Sequence, residues 1–136
     1  MRTPTTSIAA ATMCLILSAC GSAASQPPRE VAVTDSQNGT TIQVAVGDVV
    51  TLSLGSTAWT LNAASDTSIL QMQGEPVLSP APLGTCPPGM GCGTAMARYK
   101  ALKAGQVTVS GSRVSCGEAM RCVGAEGAYE VTISVS

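Results

Sequence analysis

The chain has 136 residues, a formal net charge of −1, and neither histidine nor phenylalanine. That length suits a single small domain. The missing imidazole excludes Ser-His-Asp and Cys-His catalysis and any histidine-bound metal, and with no basic patch the chain is not expected to bind nucleic acid. The carboxylates are scattered with no adjacent pair, so nothing recommends an enzyme, a metal or a cofactor.

In chain order, the first element is an address. Arg2 is the only charge before Arg29, and residues 8–17 (IAAATMCLIL) form an apolar run. That run is too short to span a bilayer, which takes about 20 residues. A basic start, a short apolar core and small residues before a cut site describe a secretory signal. Leu17-Ser18-Ala19-Cys20 reads as a bacterial lipobox, in which the cysteine is lipidated and becomes the first residue. The expected organisation is a lipoprotein signal peptide over residues 1–19, lipidated Cys20 with a flexible tether over 20–40, and a domain over 41–136. Residues 21–29 (GSAASQPPR) make the tether flexible through Gly, Ser and Ala, and stiffen its end with two prolines. A diacylglycerol supplies two acyl chains, enough for stable anchoring. The protein is therefore expected to be exported and anchored by lipid to the outer face of a bacterial membrane.

The remaining elements read as strands. Ile42, Val44 and Val46 alternate with polar or small residues until Gly47-Asp48 breaks the run. Val50, Leu52 and Leu54 alternate next, then Trp59 and Leu61 mark a short strand, followed by residues 69–73 (ILQMQ). Residues 95–102 and 106–112 are two strands joined through Lys103-Ala104-Gly105. In residues 129–136 (YEVTISVS), Tyr129, Val131, Ile133 and Val135 share one face. Period-two alternation means one buried and one wet face, and no window has a persuasive helical period. Trp59 is expected in the core. Residues 74–93 hold five prolines and read either as a functional loop or as a cover for a sheet edge.

Four cysteines follow Cys20: Cys86, Cys92, Cys116 and Cys122. An even count in an exported domain argues for disulfides, although four cysteines allow three connectivities. Pairing of neighbours is favoured because each pair brackets turn formers, PPGMG and GEAMR. A four-thiolate zinc site usually has closer spacings and is disfavoured in an oxidising compartment.

With the strands placed, residues 46–54 (VGDVVTLSL) resemble the opening hairpin of the chagasin-like cysteine-protease inhibitors. Gly91-Cys92-Gly93, followed by residues 95–105 (AMARYKALKAG), resembles that family's Gly-rich loop and next strand. The resemblance implies an all-β fold, an immunoglobulin-like antiparallel β-sandwich with two disulfide-stapled loops. It also implies three neighbouring loops that wedge into a papain-type cleft: residues 55–58, 85–94 and 115–124. Two of the family's motifs are absent. Four residues (GSTA) stand where its first loop carries Asn-Pro-Thr-Thr-Gly, and Arg113 with a cysteine-bracketed turn stands in place of an Arg-Pro-Trp wedge.

Three functions follow. The main reading is a membrane-anchored, non-catalytic binding domain that reads an unknown protein partner through its stapled loops. Its expected contact residues are Ser56, Thr57, Met90, Gly91, Arg113, Glu118, Met120 and Arg121, with Arg113, Glu118, Met120 and Arg121 exposed. The alternative is a chagasin-like inhibitor of papain-type cysteine peptidases, which requires the three loops to converge at one end of the sandwich. The last is a structural cell-envelope lipoprotein.

Overall fold

Alternating apolar side chains bring two sheets face to face. The computed structural model describes residues 26–136; the expected signal peptide and the expected lipidation site, Cys20, lie outside the described residues. The strands are β1 (Glu30–Thr34), β2 (Thr41–Val44), β3 (Val49–Leu54), β4 (Thr60–Leu61), β5 (Leu70–Met72), β6 (Val77–Pro80), β7 (Gly93–Ala101), β8 (Gly105–Ser112) and β9 (Ala128–Val135). One sheet has the order β1-β3-β7-β5, with β6 also on β7; the other has the order β2-β9-β8-β4. Most pairs are antiparallel, but β1 runs parallel to β3 and β2 parallel to β9. This is an immunoglobulin-like sandwich with a parallel strand at one edge of each sheet. Among the described residues no helix is long and apolar enough to cross a membrane.

The core follows the alternation. Val50, Leu52 and Leu54 of β3 face Tyr129, Val131, Ile133 and Val135 of β9, with Val107 and Val109 of β8 beside them; all are buried. On β7 the inward residues are Ala95, Ala97, Tyr99 and Ala101. Small alanines let the sheets approach where a chain without phenylalanine has little aromatic volume. Each fully buried Val, Leu or Ile is worth about 1.5–3 kcal/mol.

Two expectations are corrected. The tether does not run to residue 40. Val33 has no solvent exposure, and β1 pairs along its whole length with β3, so the sandwich begins at Glu30. Residues 46–54 do not form a hairpin. β2 and β3 lie in different sheets, because Gly47, at φ +94°, and Asp48 turn the chain from one sheet to the other. Buried Asp48 accepts from the Ala45 and Arg29 amides at 2.9 and 3.0 Å. These bonds and the Arg29 guanidinium hold its carboxyl below the usual range. Of the two readings of the proline-rich segment, the cover for a sheet edge is the one present, and it takes the form of a strand, β6, on the β7 edge. Its four residues are all exposed, and it contains Pro80, as edge strands tolerate.

Two tyrosines pin the sheets together from opposite sides. Tyr99 in β7 donates to the carbonyl of Asn62, just past β4, at 2.7 Å. Tyr129 in β9 donates to the carbonyl of Thr34, the last residue of β1, at 2.9 Å. Burial pushes the Tyr99 phenol well above its ordinary value. Burial, aided by nearby Asp35, pushes Tyr129 up to about 12. An unfolded tyrosine ionises near pH 10, so this stability is fully present below that pH and is lost as pH rises through the folded values. The slope is at most about 1.4 kcal/mol per pH unit for each phenol. Tyr99→Phe is expected to cost about 0.5–1.5 kcal/mol at neutral pH and to flatten the decline in melting temperature above pH 10. An unchanged alkaline limb in the variant overturns this assignment.

Candidate functional site

β3 ends at Leu54, β7 begins at Gly93, and the two are paired there, Leu54 opposite Ala95. β4 begins beside the end of β8, Thr60 opposite Ser112. The sheet registers therefore deliver three connections to one end of the sandwich: loop 1 (residues 55–58), loop 2 (85–94) and loop 3 (115–124). Arg29 lies at the other end, where it meets Asp48 and Val49.

Loop 1 is stitched to loop 2 through one carbonyl. Gly91 O accepts from the Thr57 amide at 2.8 Å and from the Ser56 hydroxyl at 3.0 Å. The same hydroxyl accepts from the Ala58 amide at 3.1 Å, which accounts for a serine only 5% exposed. Gly91 has φ +63°, and a Cβ there would lie 3.1 Å from the Ser56 hydroxyl, so both the backbone and the contact call for glycine.

Loop 2 is closed by the Cys86–Cys92 disulfide, with Cα atoms 5.8 Å apart. Within it the Met90 amide donates to Pro87 O at 3.2 Å. At its exit, a Cβ on Gly93 (φ +122°) would strike the Ser79 carbonyl and come within 2.8 Å of Pro80 Cα. Gly93→Ala is expected to lift β6 from β7 and to cost about 1–3 kcal/mol, the range for overpacking. Thermal melting measures the loss, and faster exchange of the Ala81 amide, which donates to Cys92 O, locates it. Unchanged exchange at Ala81 counts against this account.

Loop 3 is closed by Cys116–Cys122, with Cα atoms 5.0 Å apart. The favoured pairing of neighbours is therefore the one present, and a four-thiolate site is excluded. The Cys116 amide donates to Met120 O at 2.9 Å, and the Met120 amide to Gly117 O at 2.8 Å. At the tip, Glu118 and Ala119 both have positive φ, 41° and 63°. Such backbone is costly for residues with a Cβ, and strain of this kind gathers at binding tips. Loops 2 and 3 also touch. A Cβ on Gly117 would fall 2.9 Å from Met90 Sδ, so Met90 lies across the open face of that glycine.

Beneath loop 3 is a platform that the sequence did not disclose. Trp59 is 7% exposed, in the core as expected, and meets Tyr129 edge-on at 6.4 Å. The Arg113 guanidinium sits 4.6 Å from the Trp59 ring centroid, a cation–π contact. Arg113 Nε donates to Glu126 O at 2.9 Å and its amide to Gly127 O at 3.0 Å. Arg113 is thus half-buried rather than a free contact, because its charge is taken up in holding the base of loop 3. Among the described residues the buried indole N–H of Trp59 meets no acceptor. No local signal links Trp59 to Arg113, since 54 positions separate them and only the β4–β8 register brings them together.

Of the expected contact residues, Met90, Glu118, Met120 and Arg121 are exposed, Thr57, Gly91 and Arg113 are half-buried, and Ser56 is buried. Among the described residues no pocket opens, and no cluster of three or more His, Cys, Asp or Glu side chains could hold a metal.

No family model and no curated protein matches the chain. Among solved structures, the cysteine protease inhibitor EhICP2 from Entamoeba histolytica is similar at a TM-score of 0.56 and 12% identity, over 79% of this chain and 96% of that one. Amebosin is similar at a TM-score of 0.53 and 14% identity, over 80% of this chain and 99% of that one. The likeness is one of fold: these two proteins and this domain share a β-sandwich.

Proposed function

We propose that this domain is a non-catalytic inhibitor of papain-type cysteine peptidases, and that lipid on Cys20 holds it at the outer face of a bacterial membrane. The convergence of three interlocked loops at one end of the sandwich carries the first part. A wedge of this kind blocks a cleft by occupying it and needs no reactive group. Closing its loops with disulfides and stitching them through Gly91 O reduces the ordering cost of binding. The short first loop acts as a buttress, since Ser56 and Thr57 spend their polar groups on loop 2, and loops 2 and 3 make the contact. That division accommodates the missing Asn-Pro-Thr-Thr-Gly stretch. A tether entering at Arg29 supports the second part, because it leaves the loop end pointing away from the membrane.

Titration of the oxidised protein from Ser22 onward against papain and related peptidases tests the inhibitor reading. Tight, reversible inhibition is expected; no inhibition at high micromolar concentration sinks it. For the anchor, labelled palmitate is expected on the full-length chain and not on Cys20→Ser, and an unlabelled, freely soluble full-length chain counts against it.

A further inference from the structure

Resting on that inhibitor reading, we propose that the contact surface is a wedge without net charge that carries Met90 and Met120, and that it takes peptidases whose cleft offers an apolar substrate pocket. The first observation is charge. No Asp, Glu, Lys or Arg occurs from residue 76 to residue 97, nor in loop 1. Loop 3 carries Glu118 and Arg121, one of each sign, while Arg113 is turned inward onto Trp59. The second observation is the placement of the methionines. Met90 lies across Gly117, and the Met120 amide closes the same turn onto the Gly117 carbonyl. The Met90 side chain and the Met120 backbone therefore meet at one glycine, one from each stapled loop, and the two methionines remain 40% and 63% exposed.

Large apolar side chains held in solvent on closed turns mark an interaction surface. Their polar alternatives would hydrate better, and the turns need no methionine for their own closure, which is made by backbone and disulfide. An unbranched, polarisable thioether suits an apolar pocket and adapts to its shape. A face without net charge also fits such a pocket and gains nothing from long-range steering. A peptidase with an acidic or basic primary pocket would leave its charge buried against these methionines, which is unfavourable.

Met90→Gln and Met120→Gln keep the side-chain length and replace the thioether by an amide, while Met90→Leu and Met120→Leu keep apolarity. Both methionines are exposed, so the fold should survive, and thermal melting checks this. Each Gln variant is expected to raise the inhibition constant for papain about 10–100-fold, the loss expected from removing a well-buried apolar side chain. Each Leu variant should stay within about threefold. The association rate should change less than about twofold between roughly 50 and 500 mM salt. Active wild-type protein with unimpaired Gln variants, or a steep salt dependence, overturns this inference alone. Wild-type protein inactive against every papain-type peptidase overturns the parent reading and this one with it.

Discussion

Replacing Cys116 and Cys122 together by serine is expected to weaken inhibition of a papain-type peptidase at least about tenfold while the sandwich stays folded. Loop 3 holds two successive non-glycine residues, Glu118 and Ala119, at positive φ. Each such residue costs of order 1–3 kcal/mol. On the chain-entropy model, closing a loop of about seven residues contributes about 2.4 kcal/mol, so the staple and the strain are of similar size. Without the staple the tip relaxes, and a partner must order it again on binding; a tenfold loss needs only about 1.4 kcal/mol of that cost. The melting temperature should fall less than a core substitution would lower it, because loop 3 places no side chain in the apolar core. The Cys86→Ser, Cys92→Ser variant should be milder, since Gly91 O still accepts from Ser56 and Thr57 and β6 still holds the start of β7. Inhibition constants for both variants decide the matter, and equal inhibition by wild type and the loop 3 variant refutes the argument.

Trp59→Ala is expected to have the largest effect on stability, about 3–5 kcal/mol. It removes the edge contact with Tyr129 and the surface on which Arg113 rests. Inhibition should fall as well, because Arg113 fixes the base of loop 3 through Glu126 and Gly127. Trp59→Phe should be much milder. The indole N–H has no acceptor to lose, and deleting an unpaired buried donor is close to neutral or favourable. Denaturant unfolding of the two variants distinguishes them: a phenylalanine as damaging as alanine would mean that the indole N–H matters in a way the packing does not explain.

The parts of the fold that were legible are those where local pattern and tertiary burial agree. β3, β8 and β9 alternate cleanly, and their inward residues are the buried ones. β1 escapes the pattern because its apolar pair, Val31 and Val33, follows a polar, proline-containing stretch that reads as tether. β6 was hidden by its prolines and lacks a buried face, so period two had nothing to report. The supposed hairpin at Gly47-Asp48 shows a different limit. A turn signal locates a reversal but does not say which sheet receives the next strand; Asp48 decides that by holding Ala45 and Arg29 together. At the loop end, the cysteine spacing was enough to favour the pairing that the structure has. The Gly91 stitch and the Trp59–Arg113 platform depend on long-range register and left no local trace.

The parallel pairing of β1 with β3 has a mechanical side. Glu30 lies opposite Val49 and Thr34 opposite Ser53, so β1 runs lengthwise from the end where the chain enters toward the end that bears the loops. In the proposed arrangement, with lipid at one end and a seized peptidase at the other, traction pulls along this strand. The backbone bonds between β1 and β3 are then loaded together, in shear, instead of being peeled off one at a time. Rupture under load is a matter of the unfolding rate, and shear makes that rate slow. A domain joined to its anchor through the opposite edge of a hairpin would open like a zipper under the same pull.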